Sequence, residues 1–324
     1  MLSPLSKILE KIVYIQIYNY FGRNKLLHPD IHGYRQNRST TTALLTMYNR
    51  WVSAASKGQV SGVVLLDLSA AFDLVAPELL IKKLEIYGLE PDFLAWIKSY
   101  LSGRYQTVWI NHVFSGYQDC NIGVPQGSNL GPLFFMIFLN DLLYALSCDV
   151  DNYADDTTLS ATGNSVEVIE ECLTTNCMKV SSWMQSNLLK LNASKTHILT
   201  VGTSQKMLHL PRKITVSMDN VTLLEDESKC EKLLGCYVSS DLKWDQNIKN
   251  VLSKLKLRLI SLEKLKYCGT FEIRKKLADG LFNSILSYCL PLYGGTRQED
   301  ICSMQVMQNK AAQVVCCLQE AIAI

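Results

Sequence analysis

The spacing of apolar positions along the chain predicts which segments are helices and which are strands. In the first part of the chain, apolar residues recur at helical spacing over 6–21 and 40–53, on either side of the polar link HPDIHGYRQNRS. From Ser61 the pattern changes to SGVVLLDL, a short apolar run rich in β-branched residues. Such a run predicts a buried strand, which here ends at Asp67. A carboxylate in that position needs a partner, because burying an unpaired charge is costly.

Helix and strand patterns then alternate to the end of the chain. Helical spacing returns over 77–101, followed by the strand-like YQTVWINHVFS, the Gly-rich GVPQGSNLGP and an apolar helix. Next come the hairpin-like VDNYADDTTLSA, a helix over 165–184 and the loop and strand NLLKLNASKTHILTVG. Short strands near Val216 and Cys236 precede a mostly helical segment from Asn247 onward. This order predicts an α+β fold, in which a small, mostly antiparallel sheet is backed by helices.

Composition excludes several classes of protein. With 324 residues, of which 48% are hydrophobic, the chain can bury the cores of one to three domains. Its most apolar stretch, 132–146, is interrupted by Asn140 and Asp141, so we expect no membrane span. The charged start MLSPLSKILEK does not resemble a secretory signal, which predicts a nuclear or cytoplasmic protein that is not secreted. Eleven scattered cysteines without a C-x-x-C pair indicate reduced thiols and no structural zinc site.

Charge is informative only where it is concentrated. The net charge of +2 gives no hint of a nucleic-acid partner, but ten Lys or Arg residues lie between Lys243 and Lys276, against three acidic residues. This basic helical segment is long enough to lie along a phosphate backbone. A solvated helix face is the alternative, and for an isolated charge run it is the more common outcome.

Three aspartates stand where strands end or turn. Asp67 ends the predicted buried strand, and Asp155 and Asp156 occupy the tip of the predicted hairpin. If the strands are neighbours, the carboxylates converge and repel one another unless a divalent cation lies among them. Magnesium prefers such hard oxygen ligands, and two ions about 4 Å apart can assist an in-line phosphoryl transfer. Spacing alone leaves a solvated turn as the alternative.

Several motifs, in a fixed order, resemble those of reverse transcriptases. LLDLSAAFD, GVPQGSNLGP and NYADD resemble the family's palm motifs, and HGYRQNRSTTTALL resembles a fingers motif. WMQSNLLKLNASKT and KLLGCYVSSDLKW resemble the segments that follow toward the thumb. Each match is weak alone, but the ordered set spans nearly the whole chain. The segments LSAAFD and GVPQGSNLGP, together with Ala154 in the Y-x-D-D box, resemble those of non-LTR, LINE-like retrotransposons of the jockey type.

The resemblance implies a right-hand polymerase. Its parts would be truncated fingers over 1–60, a palm over 61–240 with a finger-side helical insert near 77–105, and a helical thumb or connector over 241–324. The implied activity is RNA-directed DNA polymerisation, in which the 3′-hydroxyl of a DNA primer attacks a deoxynucleoside triphosphate on an RNA template. It implies two Mg²⁺ ions, with Mn²⁺ as a substitute.

The resemblance also assigns metal ligands and a proton donor. Asp67 and Asp155 would be the main ligands, assisted by Asp156 and by the backbone carbonyl of Leu68. Lys195 is similar to a lysine that protonates the leaving pyrophosphate.

Nucleotide-binding residues follow from the same motifs. Phe72 matches the family's steric gate against a ribose 2′-hydroxyl, and an ordinary core phenylalanine is the alternative. Gln126 and Gly127 would line the nucleotide pocket, through an amide and a close backbone approach respectively. Lys7 and Arg35 are candidates for binding the triphosphate, with a surface lysine and a structural ion pair as the alternatives.

Two features depart from the resemblance. His28 and His32 have ligand-like spacing, but Pro29 lies between them and no further ligands follow nearby, so we interpret the pair as structural. Little of the family's fingers sequence precedes the LSKILEK helix, so we expect part of the fingers to be missing, and an endonuclease domain upstream in the full element is left open. The alternative function is therefore a truncated, catalytically dead fragment that acts only as a nucleic-acid-binding module. The oligomeric state is left open.

Overall fold

The computed structural model of the chain describes residues 3–69, 71–192, 195–218, 221–225, 229–267 and 269–316. Its helices are α1 (Pro4–Arg23), α2 (Thr40–Ser56), α3 (Ala71–Leu74), α4 (Pro77–Ile86), α5 (Pro91–Leu101), α6 (Leu130–Ala145), α7 (Val166–Ser186), α8 (Ser204–Leu208), α9 (Asp245–Lys264), α10 (Phe271–Ala278), a π-helical turn (Asp279–Asn283), α11 (Ser284–Ser287), α12 (Leu290–Tyr293) and α13 (Gln298–Cys316). Its strands are β1 (Val60–Ser69), β2 (Tyr105–Gln106), β3 (Trp109–Ile110), β4 (Val113–Phe114), β5 (Gln118–Asp119), β6 (Asp149–Tyr153), β7 (Asp156–Gly163), β8 (Lys190–Leu191), β9 (His197–Val201), β10 (Thr215–Met218), β11 (Val221–Leu224), β12 (Cys230–Leu233) and β13 (Cys236–Ser239).

The central sheet is antiparallel and has β1 in its middle. The strands run in the order β6, β7, β1, and the far edge of β1 pairs with β9 and then β8. Alternate residues of β1 enter two different cores, because successive side chains of a strand point to opposite faces. Val64 and Leu66 enter the first core and Val63 the second. Burial on both faces explains why SGVVLLDL is almost continuously apolar.

Two hydrophobic cores flank this sheet. The first contains residues of α1, α4, α5, α6 and α7, and α6 is buried all round, which accounts for its uniformly apolar sequence. The second joins α2 to β12, β13, α9 and α13. Polar contacts reinforce it, since Tyr48 of α2 donates to the carbonyl of Leu242 at 3.1 Å and accepts from Trp244 at 3.2 Å. The second helix of the predicted fingers thus packs directly on the predicted thumb.

Two of the predicted elements differ in detail from the structure. The helical pattern over 77–101 forms two helices, because Gly88 adopts a positive φ of 89° and Pro91 begins α5. The strand-like segment YQTVWINHVFS forms only two-residue strands, because Asn111 and His112 both take left-handed φ angles and turn the chain. Among the described residues, no helix combines the length and apolarity that crossing a membrane requires.

Candidate active site

A tight hairpin between β6 and β7 carries two of the three aspartates; we call residues 149–163 the acidic hairpin. Tyr153 pairs with Asp156, which leaves Ala154 and Asp155 as its two-residue turn. Ala154 has a φ of 59°, a region that costs a non-glycine residue about 1–3 kcal/mol and persists only where neighbours hold it. Asn152 provides that support, since its buried amide donates to the carbonyl of Ala154 at 2.9 Å and to Thr157 Oγ1 at 2.9 Å.

The third aspartate stands directly across the sheet. Asp67 on β1 is the register partner of Asp156 on β7, and directly opposed residues of antiparallel strands project from the same face. The structure therefore brings Asp67, Asp155 and Asp156 to one end of the sheet. The pKa of Asp156 is raised to about 6, first by desolvation of its carboxyl and then by the charges of Asp155 and Asp67.

A cavity of about 300 Å³ opens beside these carboxylates. Its lining includes Asp67 and Asp156, together with residues 231–234 of the β12–β13 hairpin. Lys195 also lines the cavity, with its ammonium nitrogen 3.7 Å from Asp67 Oδ2. The predicted general acid thus lies within reach of the carboxylates. A larger cavity, of about 940 Å³, is lined by residues such as Arg212 and Lys243 instead.

Phe72, in the helix α3 that follows β1, belongs to a cluster of aromatic side chains. Phe72 is half-buried, stacks on Phe135 with a ring separation of 4.5 Å and meets the edge of Tyr34 at 6.2 Å. Burial, followed by the charge of Asp155, raises the pKa of Tyr34, which places this tyrosine of the link near the hairpin turn. Leu68 has a buried side chain where β1 begins to pair with β8.

The Gly-rich loop lies against α3, the helix that contains Phe72. Gln126 donates its amide to Asp73 Oδ1 at 2.8 Å, and the amide of Val124 donates to the carbonyl of Phe72 at 3.0 Å. Gly127 has a φ of 77° and open space where a Cβ would stand. Backbone conformation alone therefore accounts for the glycine, and the space beside it leaves room for a ligand.

Glu10 supports this loop and was missed by the sequence analysis. Its side chain is buried, although α1 is otherwise largely exposed. Its carboxylate accepts from the backbone amide of Asn129 at 2.7 Å and from the hydroxyl of Tyr100 at 2.9 Å. Asn129 also donates to the carbonyl of Lys7 at 2.9 Å. An acidic residue on the apolar side of a predicted helix was the only signal in the sequence.

The two candidate triphosphate ligands lie in different settings. Arg35 is half-buried, and its guanidinium donates to the carbonyl of His28 at 2.8 Å and to that of Ile31 at 3.3 Å. These bonds hold the polar link in shape, so the arginine has a structural role whatever else it binds. Lys7 is exposed on α1.

The donor set suits a divalent ion. Carboxylate oxygens are the ligands that Mg²⁺ and Mn²⁺ prefer, and the three aspartates supply them at one end of the sheet. The charges of Asp155 and Asp67 add to desolvation in raising the pKa of Asp156.

Comparison with known proteins shows the family. The model described as reverse transcriptase (RNA-dependent DNA polymerase) matches residues 1–239, which is most of the 324-residue chain. The chain therefore belongs to the reverse transcriptase family. A structure of telomerase from Candida tropicalis, in complex with a TWJ fragment of telomeric RNA, matches with a TM-score of 0.50 at 11% identity, over 96% of this chain and 51% of that chain. This likeness shows the fold alone, and the prediction of a right-hand polymerase is confirmed.

The chain is also similar in sequence to polymerases of retrotransposons. The probable RNA-directed DNA polymerase from transposon BS of Drosophila melanogaster is 26% identical over 97% of this chain and 35% of its own length. The RNA-directed DNA polymerase from mobile element jockey of the same organism is 24% identical over 96% of this chain and 34% of its own length. The predicted resemblance to jockey-type retrotransposon enzymes is confirmed. The chain spans about a third of the length of these relatives.

Proposed function

We propose that this chain is an RNA-directed DNA polymerase, which adds deoxynucleotides to a primer 3′-hydroxyl on an RNA template. The observation that carries the proposal is the register of Asp67 opposite Asp156, beside the turn that presents Asp155. Phosphoryl transfer depends on positioning and charge neutralisation more than on covalent chemistry by the protein. Carboxylates gathered at one end of a rigid sheet suit that requirement.

Each residue of the site has a role in this proposal. Asp67 and Asp155 would hold two Mg²⁺ ions, or Mn²⁺ in their place, assisted by Asp156 and the carbonyl of Leu68. Reverse transcriptases generally use divalent metal, and the bound ions would stabilise charge on the attacking and leaving oxygens. Lys195 would give a proton to the leaving pyrophosphate. Its ammonium lies 3.7 Å from Asp67 Oδ2, beside the proposed metal ligands.

The other candidates would bind the nucleotide. Phe72 would exclude a ribose 2′-hydroxyl, because its ring is held by stacking on Phe135 and an edge contact with Tyr34. Gln126 and Gly127 would line the pocket, while Lys7 and Arg35 would contact the triphosphate. We further propose the division into fingers over 1–60, palm over 61–240 and thumb over 241–324.

Primer extension on an RNA template tests the proposal. The purified chain should incorporate deoxynucleotides with Mg²⁺ or Mn²⁺, and Asp155→Asn should reduce the rate by at least about 100-fold. Asp149→Asn is the matched control, because Asp149 is an exposed aspartate at the start of the same hairpin. Equal incorporation by the wild type and Asp155→Asn would contradict the assignment of the site.

A second candidate function is nucleic-acid binding without polymerisation. The supporting observation is the solvent-facing side of α9, whose opposite side enters the second core through Leu255 and Leu259. The exposed side carries a row of cations: Lys249, Lys254, Lys256, Arg258 and Lys264. Such a row suits contact with a phosphate backbone and would serve an inactive fragment as well as an active polymerase.

The salt dependence of binding separates the two candidates when it is measured beside primer extension. Each of Lys254→Gln and Lys256→Gln should reduce the slope of log affinity against log salt by about one if that lysine contacts a phosphate. Lys82→Gln, an exposed lysine on α4, is the control and should leave the slope unchanged. Salt-sensitive binding without incorporation would favour the binding module, whereas salt-independent binding would reject it.

A further inference from the structure

A network of four side chains lies behind the acidic hairpin; we call Asp30, His32, Arg50 and Asp151 the hairpin network. Arg50 of α2 donates to Asp151 Oδ2 at 2.5 Å and to Asp30 Oδ1 at 3.0 Å. His32 Nε2 lies 3.7 Å from Asp151 Oδ1. Asp151 belongs to β6, four residues before Asp155. The network therefore joins α2 and the polar link to the strand that leads into the turn.

The histidine and aspartate at the centre of the network are buried from solvent. His32 is 0% exposed and Asp151 3%. Among the described residues, His32 Nε2 and Asp151 Oδ1 make no hydrogen bond, and they lie 3.7 Å from each other. The second ring nitrogen of His32 lies 3.2 Å from Thr42 Oγ1 of α2, which fixes the plane of the ring. Burial raises the pKa of Asp151, whereas His32 and Arg50 act in the opposite direction, so the ionised carboxylate depends on both partners.

The backbone of the link supports β6 at the same place. β6 is an edge strand, and its outer side meets residues 30–32 in a short parallel bridge. The amide of Asn152 donates to the carbonyl of Asp30 at 3.0 Å, and the amide of His32 donates to the carbonyl of Asn152 at 2.8 Å. Pairing with β7 fixes the inner side of the strand. The position of Asp155 thus depends on the link and its side chains as well as on the sheet.

We propose that the hairpin network positions Asp155 relative to Asp67, and so sets how tightly the three carboxylates hold a divalent ion. This inference rests on the proposed metal site. The four residues act through the hairpin and do not themselves touch the substrate. Losing such a buried support lets a strand tip shift, and supporting residues of this kind typically change metal affinity by about 10- to 100-fold.

A metal ion held by the network itself is the rival explanation. One ligand atom from each of Asp30, His32 and Asp151 lies within 4.8 Å of the others. Arg50 already bonds both carboxylates, and its positive charge opposes a cation in the same place. The geometry therefore favours positioning, and the experiment below includes the rival as an outcome.

The test measures Mn²⁺ affinity of the full chain by calorimetry, for the wild type, His32→Leu and His32→Gln, with Asp155→Asn to identify the carboxylate site. Gln keeps a donor near the position of Nε2, whereas Leu keeps only the volume. We expect His32→Leu to weaken Mn²⁺ binding by about 10- to 100-fold, and His32→Gln to bind as the wild type does. Circular dichroism establishes that each variant is folded at the assay temperature.

Three results would overturn the proposal. One is a folded His32→Leu with a lowered Tm but unchanged Mn²⁺ affinity, which is what a purely structural role predicts. Another is an Mn²⁺ site that survives Asp155→Asn and disappears with His32→Leu, because the network would then hold the metal. If His32→Leu does not fold, Arg50→Gln decides by the same criterion, since Arg50 is partly exposed, with 27% of its side chain accessible. The third result is an Arg50→Gln variant whose Mn²⁺ affinity is unchanged, or one that does not fold.

These readouts are independent of polymerisation. Tight Mn²⁺ binding that depends on Asp155 and His32, without primer extension, would reject the proposed activity and leave the positioning role intact. Primer extension by the wild type, together with normal Mn²⁺ affinity in His32→Leu, would support the proposed activity and reject the positioning role.

Discussion

Gly33 of the polar link packs directly on the backbone of Ala154 in the acidic hairpin. A Cβ at position 33 would stand 2.4 Å from the amide nitrogen of Ala154 and 3.2 Å from the carbonyl carbon of Tyr153. Only glycine allows the link to approach this closely, because the opposing atoms are backbone and cannot rotate away. The link thus limits where the turn bearing Asp155 can lie.

Replacing this glycine should damage activity more than stability. Gly33→Ala is expected to cost about 1–3 kcal/mol of unfolding free energy, because link or hairpin must move to accommodate the methyl group. A shift of the turn by about 1 Å should slow primer extension by about 100-fold. Gly22→Ala is the control, since nothing lies within 4 Å of its Cβ position and α1 favours alanine there. Normal kinetics in a folded Gly33→Ala would show that the contact between the link and the hairpin does not fix the position of the turn.

The fold and the positions of the acidic residues were largely predictable, because both follow from local patterns. The continuous apolar run ending at Asp67 and the short hairpin around Asp155 are local strand signals, and motif order supplied their pairing. The Gly33 contact, the buried Glu10 and the hairpin network were not predictable. Each joins segments far apart in sequence through one side chain or one missing Cβ, and a single sequence carries no record of such contacts.

Glu10, which is not one of the predicted site residues, should help to hold the Gly-rich loop in place. Glu10→Leu would leave the amide of Asn129 and the hydroxyl of Tyr100 without this acceptor, at a cost of about 1 kcal/mol for each partly buried group. Because Asn129 follows the loop of Gln126 and Gly127, we also expect a higher KM for deoxynucleotides. Urea unfolding and steady-state kinetics measure the two effects.

Glu10→Gln is the matched variant for this prediction. One amide oxygen can still accept from Asn129, and Tyr100 can rotate its hydroxyl to accept from the new amide. It should therefore lie between the wild type and Glu10→Leu in both measurements. A KM unchanged in both variants would mean that the loop does not depend on α1.

The pH dependence of unfolding should report a second support, between α7 and β10. Hydrogen bonding from Arg212, and then from Thr215, lowers the pKa of Glu170, although burial acts in the other direction. A carboxyl with a lowered folded-state pKa stabilises the protein above its unfolded pKa of about 4.3, and that contribution is lost as the pH falls through the folded value. Glu170→Gln should therefore destabilise the protein at pH 7 by about 1–3 kcal/mol, with the difference shrinking below about pH 4.

Glu167→Gln is the control for that effect. Glu167 lies 3.7 Å from the same arginine, but 66% of its side chain is exposed. A surface pair of this kind should change the unfolding free energy by less than about 1 kcal/mol. Equal losses in the two variants would assign the effect to general surface charge.

The position of Phe72 predicts how the proposed polymerase would separate deoxynucleotides from ribonucleotides. Its ring stacks on the fully buried Phe135 at 4.5 Å, so it cannot swing inward to admit a 2′-hydroxyl. Phe72→Ala removes the obstacle and should raise the ratio of ribonucleotide to deoxynucleotide kcat/KM by about 100-fold. Tyr34→Phe, which keeps the neighbouring ring and loses only a hydroxyl, should leave the ratio unchanged. Single-nucleotide extension with each substrate gives the ratio directly. If Phe72→Ala lowers both rates equally, the ring is a core residue and the selectivity lies elsewhere in the pocket.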